Sequence, residues 1–584
     1  MSALMSDDVQ PRVPFSQQLR SFGGVYWISN WMELVERFSY YGLRTVVGVY
    51  MVLALSEGGP ELTHEQKGSM FGIWALVQSF VPIFTGGLAD RFGYKINIAI
   101  ATAVKIAGYL LMCYAIPLAG LFHGDLSAAR ESGTDLIYEL FFAGAMLLAL
   151  GTAIFKPGVQ GLIANRMPKG ASSLGWGLFY QMVNIGGFLG PFIAGYLRVL
   201  EWEHVFLVCA GGVALNFIPL FFFEEPEREA ALKSKGVVDI TIDTVKGLLI
   251  PRVFFFTLAF AGFWLMFYQL FDILPNYIDD WVDSRALRAG LVSLTWEGAV
   301  PQVNGGNMTQ EWMININALL ISLFAFLVGY LTGRMRSLVA IVVGIAISAG
   351  GIYALGLSMN GWVIAGAIAV FSVGEMLASP TKMRYFASIA PPGKEGQYMG
   401  YVNFTIGIGW SVGSVVAGHW YENFGDKINL ARRHLVEHGD LTASAAARID
   451  RGEVMSVFER TFDVDAWGAR ELLFHTYEPH SMWVLFTAIG GFSLVLLLAY
   501  DFVTRKASAD PKHSFNTKGH WWVRIALVPI VGAFAYATVF HFTGAVLVLT
   551  IMFALLFGAS FVLPPEAETS SPKDAEPADD RAAS

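Results

Sequence analysis

Apolar residues run on for about 20 positions at a time along most of the chain, and a short polar break closes each run. At about 1.5 Å per residue, such a run spans a bilayer core of about 30 Å. The runs are continuous rather than alternating, which predicts helices and not barrel strands. Fourteen can be placed, near residues 25–55, 66–88, 94–118, 137–164, 173–198, 203–224, 251–278, 312–333, 338–358, 361–388, 397–421, 482–503, 520–541 and 543–563. An even count puts both ends on one side. The short breaks after even-numbered spans hold Arg91, Lys95, Arg166, Lys169, Arg334 and Arg336 among others, while the opposite short breaks are poor in Lys and Arg. That bias predicts cytoplasmic termini. The opening "MSALMSDDVQPRVPFSQQLR" lacks the basic start and apolar core of a cleaved signal, so the first span is expected to act as its own insertion signal.

The same pattern divides the chain. Residues 1–24 form a cytoplasmic N-terminus, 25–224 a six-helix bundle, 225–250 a cytoplasmic linker, and 251–503 a second six-helix bundle. An additional helix pair occupies 520–563, and the acidic, Pro-rich tail at 564–584 is expected to be disordered. An internal echo supports two halves: "GGLADRFGYK" (86–95) follows span 2 and "GYLTGRMRS" (329–337) follows span 8. Two outer segments are long. Residues 279–311 hold a polar stretch, and the insert 422–481 has helical patterning enough for a small cap but hardly for a separate domain. The expected fold is an all-α polytopic membrane protein of major facilitator type, two six-helix bundles plus an appended C-terminal pair.

Composition agrees with this picture. The 584 residues are 54% hydrophobic and 15% charged, against roughly 25% charged for a soluble chain. The net charge of −8 comes largely from loops and tail and says little about partners. Cys113 and Cys209 both lie in apolar runs and are expected as buried free thiols, too few for a disulfide framework or a metal motif. No nucleophile–base pair, metal cluster or phosphate loop is found, so neither an enzyme nor a cofactor is expected, and nothing points to nucleic acid.

Span 1 nevertheless carries four charges. Glu33, Glu36, Arg37, Tyr40, Tyr41 and Arg44 fall on one helical stripe, opposite Val35, Phe38, Val46 and Val49. They are expected to face the bundle interior and its water, with opposite signs pairing at one-turn spacing. Each intramembrane charge costs at least ~3 kcal/mol, which makes the cluster a functional candidate, with a buried ion pair that locks two helices as the alternative. Lys156 in "AIFKPGVQG" needs a carboxylate, with Glu33 or Glu36 the natural partner, and Pro157 is expected to break or bend its helix. Glu375 in "GEMLASP" is an isolated mid-span carboxylate, suited to loading and losing a proton as access alternates. Asp272 lies near the outer end of span 7, where surface and coupling roles are equally open; Trp264, Tyr268 and Gln269 are close to it. Tyr180 and Asn184 share one face of span 5, whereas Asn315 and Asn317 are two apart, so at most one is expected to face the same cavity. For Asn184 and Asn317, helix bridging and substrate contact both stand open. The glycine runs "GGFLGPFIAGY" (186–196) and "GIGWSVGSVVAG" (407–418) lie within spans and signal close helix packing, not phosphate binding.

These residues carry a resemblance. "ELVERFSYYG" (33–42) resembles the ExxERFxYY signature of the proton-coupled oligopeptide transporters within the major facilitator superfamily. "FKPGV" around Lys156 resembles that family's fourth-helix lysine motif, "FYQMVNIGG" its FYxxINxGS signature with Val183 for Ile and Gly187 for Ser, and "GEMLASP" its tenth-helix glutamate motif. "FWLMFYQ" and the Asn317 region match more loosely, and "GGLADRFGYK" is similar to the superfamily's gating loop, which gives Asp90 and Arg91 a gating role. The resemblance implies proton-driven uptake of di- and tripeptides through a multi-pass inner (plasma) membrane protein, with protons, short peptides and the bilayer as partners. Glu33, Glu36 and Arg37 would couple proton binding to the substrate carboxylate, and Lys156 would pair with them. Arg37, Arg44 and Lys156 would face the peptide C-terminus; Glu375, with Asn184 and Asn317, would hold its amino group. Tyr40, Tyr41, Tyr180, Trp264 and Gln269 would complete the binding pocket. The chain departs from the family at Tyr268, where several members carry an acid, at Gly158, where Asn is usual, and in placing the extra helix pair at the C-terminus. Rival readings keep the fold with another small zwitterion or anion as cargo, or make the protein a non-transporting membrane sensor.

Overall fold

The computed structural model describes residues 15–122, 135–168, 172–225, 237–303, 305–391, 394–509, 515–540 and 543–563. The acidic tail and much of the expected N-terminus and linker lie outside these. The fourteen expected spans fall on helices numbered here α1 (Gly24–Tyr50), α2 (His64–Phe92), α3 (Tyr94–Cys113), α4 (Leu136–Asn165), α5 (Ser172–Leu200), α6 (Trp202–Ala214), α7 (Pro251–Phe267), α8 (Gln310–Thr332), α9 (Ser337–Ala354), α10 (Gly361–Ile389), α11 (Glu395–Phe424), α12 (Met482–Ala509), α13 (Phe515–Phe540) and α14 (Gly544–Val562). Twelve, all but α1 and α11, are long and apolar enough to cross a membrane by length and composition. The other two do not need an apolar exterior: α1 is packed by α5 and α6, and α11 by α2 and α7. Side-chain caps start several helices, with Asp135, Asn360 and Thr543 accepting from the backbone N–H of Tyr138, Trp362 and Val546.

Helix α4 continues through Pro157 and α10 through Pro380, so of the break or bend expected at Pro157 the break does not occur. The broken helix is α7. It stops at Phe267 and resumes as short segments at Gln269–Asp272 and Leu274–Trp281. Pro275 has no N–H to give to the carbonyl of Phe271. Arg44 Nη1 from α1 donates to that carbonyl instead, at 3.2 Å.

Helices α1–α6 and α7–α12 build two halves with separate cores. They meet mainly along α2 with α11 and along α5 with α8. Glycines permit close approach within the N-terminal half: a Cβ on Gly190 would lie 2.3 Å from the carbonyl oxygen of Phe38, and one on Gly186 would lie 2.4 Å from that of Leu34. The appended pair α13–α14 packs against α7, α2 and α11, around Leu76, Leu249, Phe254, Leu527 and Leu549.

Residues 279–311 fold into a helix at Arg285–Leu294 and a hairpin of β1 (Gln302–Val303) and β2 (Asn307–Met308). The turn runs through Gly305 and Gly306 at φ +69° and +103°, which glycine adopts without strain. The 422–481 insert forms four short helices, Lys427–His438, Ala443–Ala447, Val454–Phe462 and Ala466–Tyr477. Leu430, Leu435, Phe458 and Leu473 from these helices join the core of the second half, so the cap has no separate core of its own. Cys113 and Cys209 are buried free thiols.

Candidate functional site

Between the halves lies a cavity of ≈ 230 Å³. The first half contributes Tyr40, Tyr41 and Arg44 from α1, and Tyr180, Asn184 and Gly187 from α5. The second half contributes Trp264, Phe267 and Tyr268 from α7, Asn315 and Asn317 from α8, and Glu375 from α10. Both asparagines of α8 reach the wall, against the expectation that at most one would. Asn315 donates to the Phe188 carbonyl at 2.9 Å and so also ties α8 to α5. Asn317 donates to Ser372 at 3.0 Å and to Glu375 at 2.8 Å. Asn184 donates back to Tyr180 O in its own helix at 2.9 Å. The aromatic wall is rigid: the rings of Tyr268 and Trp410 stack at 4.2 Å and 3°. Behind it, the Nζ of Lys382 lies 3.7 Å from the Trp264 ring centre.

The charged stripe of α1 divides in two. Arg44 reaches the cavity, but Glu33, Glu36 and Arg37 are only 2%, 0% and 4% exposed and do not line it. They are sealed within the first half, not bathed in the cavity's water as expected. Arg37 pairs with Glu33 at 3.2 Å and also with Glu36. Its guanidinium lies 5.1 Å from the Tyr40 ring centre, so the tyrosines separate it from the cavity. Lys156 also departs from expectation. Among the described residues no carboxylate lies within hydrogen-bonding or ion-pair reach of it, and Glu36 is bonded instead by Lys105 of α3. Gln269 turns away as well: it is fully buried, donates to Leu265 O at 2.7 Å, and does not line the cavity. The side chains of Asp90 and Arg91 lie outside the described residues.

At the end that carries the cap, polar contacts close the two halves against each other. Arg44 pairs with Asp272, whose other carboxylate oxygen accepts from Ser414 at 2.6 Å. Arg198 of α5 bonds Asp279 at 2.8 Å and Glu311 at 3.0 Å. Lys67 donates to Asn276 at 2.7 Å, His64 meets Asp426 at 2.9 Å, and Gln310 donates to Thr45 O at 2.8 Å. Asp272, whose surface and coupling roles the sequence leaves open, is thus buried and joins the two halves one turn beyond Tyr268. Sequence reasoning missed Lys105 and Lys382. The signal for each was a single Lys within an apolar run, "IATAVKIAGYLL" and "ASPTKMRYF".

Two helical bundles closed over one end, with a polar cavity between them, are the architecture of a multi-pass membrane transporter. The chain belongs to the Major Facilitator Superfamily, whose family model matches residues 32–414. It is similar to the peptide transporter YePEPT of Yersinia enterocolitica subsp. palearctica serotype O:3 (strain YE-P4), 23% identical over 488 residues, 68% of this chain and 88% of that one. It is also similar to the multidrug resistance protein MdtH of Edwardsiella ictaluri (strain 93-146), 22% identical over 368 residues, 62% of this chain and 79% of that one. Among solved structures, the fold resembles a peptide transporter POT in complex with sulfate, with a TM-score of 0.56 at 18% identity, covering 85% of this chain and 98% of that one. It also resembles a POT family transporter in complex with 5-aminolevulinic acid, with a TM-score of 0.53 at 16% identity, covering 78% and 96%.

Proposed function

We propose that the protein is a proton-coupled symporter that imports di- and tripeptides across the inner membrane by alternating access, with both termini in the cytoplasm and the cap outside. The observation that carries this reading is Glu375. It is a carboxylate on the cavity wall, hydrogen-bonded to Asn317 and without an ion-pair partner among the described residues. A cargo ammonium is the group such a site accepts. Across the cavity stand Arg44 and the two tyrosines, with Arg37 behind them, a wall that suits a carboxylate. A cargo with one pole of each sign and small enough for ≈ 230 Å³ meets both requirements. In this reading Glu33, Glu36 and Arg37 relay protonation, Glu375 with Asn184 and Asn317 holds the amino end, Trp264, Tyr180, Tyr40 and Tyr41 bound the side chains, and Asp90 and Arg91 gate the cytoplasmic end.

The likeness to multidrug resistance proteins supports a second reading, another small cargo on the same fold. Cavity size weighs against drug-sized molecules, whose pockets run about 300–1,000 Å³. The test is uptake of labelled dialanine into proteoliposomes with and without an inward proton gradient. Concentrative uptake that an uncoupler abolishes is the expected result. Folded protein with no uptake under either condition overturns the peptide reading, and a thermal-shift screen of zwitterions and anions then identifies the cargo class.

A further inference from the structure

We propose that Lys382 is a specificity-determining residue: held behind Trp264, its charge opposes that of Glu375 and so favours a zwitterionic cargo over a simple cation. It acts through the field in the cavity and touches no cargo. The position argues first. Lys382 follows Glu375 by two turns of α10 and lies on the same face. That is about 10 Å along the helix axis, and a helical side chain leans towards the N-terminus, here towards Glu375. Lys382 is 2% exposed and does not line the cavity. Its Nζ lies 3.7 Å from the ring centre of Trp264, which does line the cavity, and 5.7 Å from that of Phe260. Among the described residues it donates no hydrogen bond and has no carboxylate within ion-pair reach.

The energetics argue second. An aromatic ring face offsets only part of what burying an ammonium costs. A charge therefore stands where an apolar side chain of the same length would be more stable, and within a membrane such a charge points to function. Water is largely excluded around both groups, so Glu375 and Lys382 act on the cavity with opposite signs across a short, weakly screened distance. A cargo that carries only an ammonium gains from Glu375 and is repelled by Lys382. A cargo that also carries a carboxylate meets Arg44, Tyr40 and Tyr41 at its other end. The Lys382 field acts on its two poles in opposite directions, so it loses less. Trp264 is the partition in this arrangement: it keeps the Lys382 ammonium from closing on Glu375 and taking the cargo's place. The inference rests on the cargo reading above.

The experiment is calorimetric binding of three ligands that differ in charge: dialanine amide, a cation; dialanine, a zwitterion; and N-acetyldialanine, an anion. Purified full-length wild type is compared with Lys382→Met. The variant is expected to bind dialanine amide on the order of tenfold more tightly, as for a unit charge removed from about 10 Å away at an effective dielectric of about 20. Dialanine should change by less than about threefold, and N-acetyldialanine should bind more weakly. Lys382→Arg keeps the charge and is expected to keep the wild-type order of affinities. Tm of Lys382→Met is expected to be at least that of wild type, because an unpaired buried charge is removed. A role confined to supporting the Trp264 ring would weaken all three ligands alike; that result, or no change in any of them, overturns the proposal. Should Lys382→Met fail to fold, Lys382→Gln is put through the same three titrations with the same expected signs. Wild type that binds none of the three rejects the cargo reading, and this role with it. Wild type that binds dialanine, beside a variant without the opposite shifts for cation and anion, rejects the role of Lys382 alone.

Discussion

At the scale of single residues, two carboxylates differ in what surrounds them, and their variants should differ accordingly. Asp272 is 2% exposed and accepts from Arg44 and Ser414. Replacing it with Ala leaves the Arg44 guanidinium buried without its charge partner, which costs about 3–5 kcal/mol. Asp272→Asn keeps a hydrogen-bond acceptor and should cost less, so the ordering of Tm is wild type, then Asn, then Ala. An alanine variant as stable as wild type would mean that the pair contributes nothing to closure. Glu375 is different because its charge is unpaired in the resting site. Glu375→Gln should leave Tm close to that of wild type, because it breaks no ion pair and keeps an acceptor for Asn317. It should weaken binding of free dipeptides more than of N-acetylated ones. Matching losses for the two ligands would remove the ammonium from that position.

At the scale of elements, α7 and α1 carry the site because each abandons a rule of membrane helices. The seventh span breaks after Phe267 and again at Ile273, just before Pro275, and the Phe271 carbonyl that Pro275 leaves without a donor is taken by Arg44. Pro275→Ala restores an N–H that can reach the Phe271 carbonyl and compete with Arg44 for it. The expected outcome is a more continuous α7, a protein at least as stable, and slower turnover, measured as uptake rate against Tm; unchanged turnover would show that the break is incidental. Helix α1 gives up apolarity, and this was legible in advance: stripe spacing in "ELVERFSYYG" placed every charge on the protected side. Partner choice was not legible. A lone Lys at 105 and a lone Lys at 156 offer the same local signal. Only the groove at Gly151 decides which one reaches Glu36. Gln269 was misplaced for a related reason, since the α7 pattern does not reveal that its amide folds back on Leu265 O. Patterns along the chain fix faces; packing between helices fixes partners.

At the scale of the whole molecule, the insert at 422–481 bears on the cycle itself. Arg451 donates from Nε to the Val52 carbonyl of the first half at 2.9 Å and from Nη2 to Asp426 at the end of α11 at 2.5 Å. Ser56, in the loop after α1, donates to Asp450 at 2.7 Å. On the other side, Arg470 donates to the Val282 carbonyl at 3.2 Å, and Trp281 to that of Gly425 at 2.9 Å. The cap shares its core with the second half, so opening this end must break the contacts to Val52 and Ser56. Their strength should not depend on mild acid. Burial pushes the Asp426 carboxyl up, but Arg451 and His64 outweigh it and hold the carboxyl well below its usual range. A carboxyl lowered on folding stabilises at pH values above its ordinary value of about 3.9 and loses that contribution only as pH falls towards the lowered one. Between pH 7 and 5 the latch therefore stays closed on this account. Arg451→Ala removes the largest lowering cause, so Asp426 should return towards its ordinary range and the stability lost on acidification through the ordinary carboxyl range should be smaller than in the wild type. The same variant should loosen the end mechanically. With spin labels at Glu57 on the loop and Val436 on the cap, both exposed, pulsed distance measurements should show one short population in the wild type and a second, longer one in Arg451→Ala. Identical distributions would mean that the α1–α7 and α5–α8 contacts close this end without the cap, and the insert would then have to act on something other than the opening step.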